Sequence, residues 1–281
     1  MESTPGAIDL EAYFARVGFA GPATATLATL ESMHELHPAA IAFENLDAFT
    51  GVAPSLDAAS LQAKLVHGGR GGWCFEHNLL FGAALAAIGF RVRRLAARVR
   101  WGVAPGVVTA RSHCLLLVEA QGEQRIADVG FGGQVLTGPL RLEAAVEQAT
   151  PHEPFRLQRQ GEDGWLMESR LEGEWRALYA FDLRPAEVAD YEVINWYLAN
   201  HPGSHFVKGI VAARTAPGGR HALRTGRYAL HHADGRTERR FIDDPDEMLG
   251  LLRSVFGIRV PETAALRSKL AAAIEADKVS R

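Results

Sequence analysis

Cysteine is scarce: the 281 residues contain only Cys74 and Cys114. Two thiols cannot make a disulfide framework or a four-thiolate metal site, so each is a packed small residue or a reactive group. An excess of one charge is also missing. Lys and Arg number 30 against 33 Asp and Glu, for a formal charge of -3, without the concentrated basic surface that nucleic acid requires. Long apolar runs are lacking too. The longest, Leu79 to Phe90, is interrupted by Gly82 and Gly89 and is too short to span a bilayer. The opening MESTPGAIDL has neither the basic start nor the apolar stretch of an export signal. A cytoplasmic protein with no nucleic-acid or membrane partner is expected. Repeats and low-complexity tracts are absent as well.

What is present is an ordinary globular composition, 47% apolar and 22% charged. A chain of this length buries roughly three quarters of its unfolded surface, so its stability needs no metal or cross-link. The hydrophobic period divides it into three. Up to Gly89 the pattern is helical. Asp9 caps a helix carrying Leu10, Tyr13, Phe14 and Val17, which Gly18 ends. A second helix runs from Thr24 to about His34. A third carries Leu56, Leu61, Leu65 and Val66 and stops at Gly68 and Gly69. A fourth starts near Cys74, with Cys74, Asn78, Phe81 and Leu85 on one stripe, and ends at Gly89. From Phe90 to Phe181 short alternating runs (RVRRLAARVRW, HCLLLVEA, QRIADVGF, FRLQ, GWLMES) read as antiparallel strands. From Pro185 the signal is mixed: a helix over ADYEVINWYLAN, strands around FVKGIVAAR and RYALHH, then two helices. An α+β protein follows, with helices over 1–89, a sheet or barrel over 90–184 and an α/β segment over 185–281.

The stretch HGGRGGWCFEHN, His67 to Asn78, sets glycines and an arginine before a cysteine at a helix start. Unpaired N–H groups at a helix N-terminus stabilise a thiolate, and glycines let backbone approach a reacting carbonyl closely. The alternative is a buried structural cysteine at a glycine-rich turn. A nucleophilic thiol needs a base, and the base an orienting group. His113 and Asp128 fit if HCLLLVEA and QRIADVGF form a hairpin closed by Gln121 and Gly122. Residue 115 would then face 128, making His113 and Asp128 diagonal neighbours on one face. A three-residue loop without a bulge would place them on opposite faces. Cys74, His113 and Asp128 in that order suit acyl transfer or thiol hydrolysis, and spacing does not choose between the two. Cys114 should point to the other side of its strand, away from Cys74, as packing. His34 and His37 lack the spacing of a zinc pair with a third ligand, and His231 and His232 read as strand-end surface residues, so no metal is expected. GFGG lacks the Lys-Ser/Thr of a phosphate loop.

These residues resemble the arylamine N-acetyltransferases. RGGWCFEHN (Arg70 to Asn78) is similar to that family's signature around its acetyl-accepting cysteine, SHCLLLV to its histidine strand and DVGFGG to its aspartate motif. DLEAYFARVGF, IAFENLDAF, LYAFDLRP and NWYLANHPGSHF are further similarities in the family's order. The resemblance implies an N-terminal helical bundle, a central antiparallel β-barrel and a C-terminal α/β lid around a cysteine-protease-like core. It implies acetyl transfer from acetyl-coenzyme A, through a thioester on Cys74 with His113 and Asp128 assisting, to arylamines, arylhydrazines or N-hydroxyarylamines. The oxyanion would meet the backbone N–H groups of Cys74 and Arg111. Phe43, Phe75, Phe131 and Phe206 would line the acceptor pocket. Ser112, Gly130, Gly132, Phe206 and Thr215 would lie along the coenzyme channel, with Arg214 or Arg220 near the phosphates. Arg70 and Glu76 are expected to be structural, as a buried ion pair or a helix N-terminal carboxylate. A monomer or homodimer is expected. The alternatives are an amide synthase or an enzyme using another acyl donor on the same fold, and a thiol hydrolase or transglutaminase-like enzyme of another class. The seventy-five residues after Phe206 favour a coenzyme-binding lid over a reduced amide synthase.

Overall fold

The computed structural model describes residues 8–104, 106–261 and 263–279. The first seven residues, on which the expectation of no export signal rests, lie outside them.

Local chemistry sets the helical region. The Asp9 side chain accepts from Ala12 N at 2.9 Å to start α1 (Leu10–Val17), and Gly18 ends it at φ 76°. Thr26 caps α2 (Leu27–Ala40), which runs past His34 with Pro38 inside it. A proline this close to the end removes one helical bond. The buried His34 and His37, both packed against Phe81, hold the last turns in place. Short elements follow: β1 (Phe43–Glu44), α3 (Leu46–Phe49) and α4 (Ala58–Leu61), the last continuing as a wide π-type turn over Gln62–His67. At Gly68 an added Cβ would meet Lys64 O at 2.7 Å, so the chain turns there. The next helix, α5 (Cys74–Ile88), ends at Gly89 with φ 108°. Its first half is buried on all sides, more than the single stripe expected, because strands cover one side and other helices the rest.

Seven antiparallel strands follow: β2 (Arg91–Val99), β3 (His113–Ala120), β4 (Glu123–Ala127), β5 (Leu140–Arg141), β6 (Phe155–Gln160), β7 (Gly164–Leu171) and β8 (Glu174–Pro185), in spatial order β5-β4-β3-β2-β8-β7-β6. Residues 144–148 bring the two edges together. Gln148 exchanges backbone bonds with Phe155 while its side-chain amide bonds Arg141 N and O, so the sheet nearly closes into a barrel. In β3, Leu115 and Leu117 fill the barrel, whereas Cys114, Leu116 and Val118 face the helices. Both faces are therefore apolar.

The remainder is α6 (Val188–Asn200), α7 (His205–Lys208), strands β9 (Val211–Ala216), β10 (Gly219–Arg224), β11 (Arg227–His232) and β12 (Thr237–Phe241), then α8 (Pro245–Ser254) and α9 (Ala264–Val279). The first residues of the expected strand FVKGIVAAR form α7 instead. Strand β12 escapes the pattern because its charged positions are exposed, and β10 because its polar Arg220 and His221 are buried or half-buried where alternation would want apolar side chains. The second sheet has the order β1-β9-β10-β11-β12, so Phe43 and Glu44 from the helical region complete a sheet made largely by the C-terminal region. Its core is built from Ile210, Leu223, Met248, Leu252, Phe256 and Leu270.

Candidate active site

The β3–β4 hairpin decides the geometry. Ala120 pairs with Glu123, leaving Gln121 (φ 55°) and Gly122 (φ 81°) as a two-residue turn with both residues left-handed, which matches the twist of the flanking strands. Leu116 pairs with Ala127, so His113 and Asp128 fall on one face as diagonal neighbours. Their side chains meet, with His113 Nε2 2.7 Å from Asp128 Oδ2, and both are buried. The second ring nitrogen, Nδ1, remains for the Cys74 thiol, which interacts with the same imidazole. Cys74 is the first residue of α5, 8% exposed, with Sγ 3.8 Å from Ser112 O.

Burial opposes a charge on His113, but the Asp128 carboxylate, its hydrogen bond and the nearby thiol outweigh burial and raise the imidazole to about 10. Burial alone would raise Asp128, yet His113 and the donors Asn78 Nδ2 and Gly130 N, each 2.9 Å from Oδ1, hold it below the usual carboxylate range. The rings of Phe131 and Tyr179 pack on His113 with centroids at 5.0 and 4.8 Å and keep water from it. A thiol beside a protonated imidazole, itself held by a carboxylate, can form a thiolate–imidazolium pair and attack a carbonyl.

Charged residues brace the other side of Cys74. Glu76 Oε2 accepts from Trp73 N at 3.1 Å and Oε1 meets Lys64 Nζ at 2.6 Å; Lys64 also contacts Asp47. Arg70 pairs with Glu44 and Asp47. Both signature residues are structural, as expected, though each has its own partner. Burial pushes Glu76 up to about 7 despite Lys64, helped by the like charges of Glu44 and Asp47. Gly71 is obligatory, since a Cβ there would sit 2.0 Å from Ala42 O.

The other expected site residues divide. Phe43, Phe131 and Phe206 stay partly exposed, with Phe43 and Phe206 centroids 6.2 Å apart. Phe75 is a correction. It is fully enclosed between Trp73 and Tyr191, supporting the helix from behind instead of lining a pocket. Gly132, at φ 73°, faces the Phe43 ring. Gly130 presses onto the first turn of α5, where a Cβ would lie 2.8 Å from Cys74 Cα. Thr215 is buried on β9 across from Arg220. The arginines expected near phosphates are engaged internally: Arg214 bonds Ala39 O and Val255 O, and the buried Arg220 is paired with Glu153. The Arg111 side chain pairs with Asp182. Cys114 is packing on the face of β3 opposite His113, but that face looks onto the helices rather than away from them; burial pushes its thiol up to about 12.

Several partners were not read from the sequence. Asn78 was seen only as one position of a helical stripe. His34 Nε2 accepts from Asp128 N at 3.0 Å, and burial lowers this imidazole to about 4. Tyr13 hydroxyl bonds His37 Nδ1, His37 Nε2 bonds His77 Nδ1, and His77 Nε2 donates to Ala42 O. This chain is complete with neutral rings, and burial keeps both histidines below their ordinary range. Among the described residues, no group of three or more His, Cys, Asp or Glu could hold a metal, and no helix is long and apolar enough to cross a membrane.

Helices, a nearly closed barrel and a buried Cys, His and Asp meeting at their junction describe the class of cysteine-dependent acyl-transfer proteins. Comparison with known proteins narrows the class. A family profile described as N-acetyltransferase matches residues 26–265. The arylamine N-acetyltransferase of Mycolicibacterium smegmatis is 42% identical over 262 residues, covering 92% of this chain and 94% of that one. The Salmonella typhimurium arylamine N-acetyltransferase / N-hydroxyarylamine O-acetyltransferase is 39% identical over 89% of each chain. The solved structure of Mycobacterium marinum arylamine N-acetyltransferase in complex with CoA superposes with a TM-score of 0.89 at 40% identity, covering 95% of this chain and 99% of that one. The chain belongs to the arylamine N-acetyltransferase family and is a transferase.

Proposed function

We propose that this protein carries acetyl from acetyl-coenzyme A to arylamines and arylhydrazines, and to the oxygen of N-hydroxyarylamines, through a thioester on Cys74. The observation that carries the reading is the buried 2.7 Å contact between His113 and Asp128 beside a thiol at a helix start. In the first half-reaction the Cys74 thiolate attacks the acetyl carbonyl, and the coenzyme thiolate leaves with the proton of the His113 imidazolium. In the second, the amine attacks the Cys74 thioester, His113 takes a proton from the amine nitrogen, and Cys74 leaves as thiolate. Asp128 keeps the imidazole oriented and stabilises its charge. The N–H groups of Cys74 and Arg111 would hold the oxyanion of each tetrahedral intermediate. Arylamines are weakly basic and largely uncharged at neutral pH, so no separate deprotonation is needed before attack.

Phe43, Phe131 and Phe206 suit a flat aryl acceptor, and Ser112, Gly130, Gly132, Phe206 and Thr215 are assigned to the coenzyme channel. The working division is a helical unit over 1–89, the barrel over 90–184 and an α/β lid over 185–281, acting in the cytoplasm as a monomer or homodimer. The test is intact mass after mixing with acetyl-coenzyme A, in wild type and Cys74→Ala, followed by an arylamine. One acetyl group gained only by the wild type, and discharged by the amine, is expected. No gain from acetyl, propionyl or malonyl donors overturns the assignment. An acetyl group lost to water as fast as to amine identifies a hydrolase.

A further inference from the structure

Asn78 lies one turn beyond Cys74 on α5, with no exposed surface. Its side-chain amide makes three hydrogen bonds. Nδ2 donates to Asp128 Oδ1 at 2.9 Å and to Cys114 O at 2.7 Å, while Oδ1 accepts from Val129 N at 3.1 Å. The carbonyl of Cys114 accepts only and the N–H of Val129 donates only, so the amide has one orientation. Cys114 directly follows His113, and Val129 directly follows Asp128. One side chain on the helix of the thiol therefore grips the segments that carry the imidazole and the carboxylate. The fit is close, since a Cβ on Gly130 would lie 2.9 Å from Asn78 Nδ2.

The Asp128 carboxylate shows what this grip does. With Asn78 Nδ2 and Gly130 N both on Oδ1, the carboxylate is turned so that Oδ2 meets His113. Gly130 N belongs to the same turn and moves with it. Asn78 is anchored in α5, so it relates the carboxylate to the thiol.

We propose that Asn78 is a positioning residue for the reaction, its amide setting the direction of the Asp128 carboxylate and locking β3 and the 128–130 turn onto the first turns of α5. The proposal rests on the acyl-transfer reading above. Without the amide, the carboxylate loses its fixed direction, and the buried Cys114 carbonyl and Val129 N–H lose their partners. The thiolate–imidazolium pair then forms less readily at neutral pH.

The experiment uses Asn78→Ala and Asn78→Asp in the full-length enzyme. It follows the rate of Cys74 acetylation by quenched-flow mass measurement, KM for the acetyl donor, the pH profile of Cys74 alkylation by iodoacetamide, and Tm. Acetylation should fall about 10- to 100-fold in both variants, the scale of a small misplacement of reacting groups, with KM little changed. Alkylation of Cys74 at neutral pH should be slower in Asn78→Ala than in wild type. Asn78→Asp keeps the shape and the acceptor for Val129, and its deficit should shrink as pH falls, because the introduced carboxyl then gains a proton to donate to Asp128. Wild-type rates in a folded variant, or a pH-independent deficit that only tracks Tm, would overturn the proposal. If Asn78→Ala does not fold, Asn78→Asp decides alone. Alkylation needs no acetyl donor, so a wild type that never acetylates defeats the acyl-transfer reading while the alkylation profiles still judge Asn78.

Discussion

Asp128 and Glu76 are two buried carboxylates set against the same end of α5, one on the barrel side and one on the side of the glycine-rich loop. Burial raises both, yet Asp128 ends below the usual range and Glu76 rises to about 7. The neighbours account for the difference. Asp128 faces one imidazole and two N–H donors. Glu76 has one ammonium and one N–H, but shares its surroundings with Glu44 and Asp47. Desolvation is common to any buried acid; the donors in reach and the sign of the next charges decide which form persists. The barrel-side carboxylate is thereby held as a permanent anion facing the reacting groups, and the loop-side one as a brace whose charge depends on pH.

The strongest way to break this comparison is Asp128→Asn, which keeps the shape and removes the charge. Acetyl transfer should fall about 1,000- to 10,000-fold with the fold retained, read from the rate of amine acetylation and from circular dichroism. A loss under tenfold would mean that the carboxylate is not needed as an anion. On the other side, Lys64→Met removes the counter-ion of Glu76. A buried charge without its partner costs about 3 kcal/mol, so denaturant unfolding at pH 8 should show a loss of that order while folded molecules keep near-normal turnover. The loss should shrink at pH 5, where Glu76 can take up a proton.

A smaller effect sharpens the sign. The folded pKa of Glu76 lies above its ordinary value of 4.5, so between about 4.5 and about 7 the folded state holds a proton that the unfolded state has lost. Stability from this group therefore falls as pH rises through that window and levels off above it. Glu76→Gln cannot titrate. Its stability relative to wild type should improve by about 2–3 kcal/mol from pH 5 to pH 8, measured by urea unfolding at both. A difference that stays flat would place Glu76 at an ordinary carboxylate value.

Much of this was legible where the signal is local. Asp9 and Gly18 bound α1, Gly89 ends α5, and Gln121 with Gly122 closes a two-residue turn, each because a capping oxygen or a left-handed residue acts within a few positions. From that turn, period-two counting along β3 and β4 put His113 and Asp128 on one face, as they are. The motif residues singled out Cys74. Less visible were partners supplied by other elements. Arg220 has the charge to meet phosphates, yet Glu153, in the loop before β6, claims it. Phe75 had the right chemistry for a pocket, but Tyr191 on α6 covers it. Strand β1 has only two residues, too few for any period, and is a strand because β9 lies beside it.

Sequence alone marked most helices and the longer strands, offered the two-residue β3–β4 turn as one of two readings, and singled out Cys74, His113 and Asp128 as candidates, because caps, turns and alternation are short-range properties. Tertiary structure decided their states: which carboxylate stays ionised, which arginines are already paired, and that one amide on α5 touches the segments of both other groups. Those depend on burial, on charges brought from Lys64 and Glu44 and on hydrogen bonds with Asn78 and His34 across the chain, and no spacing in the sequence encodes the distance between them.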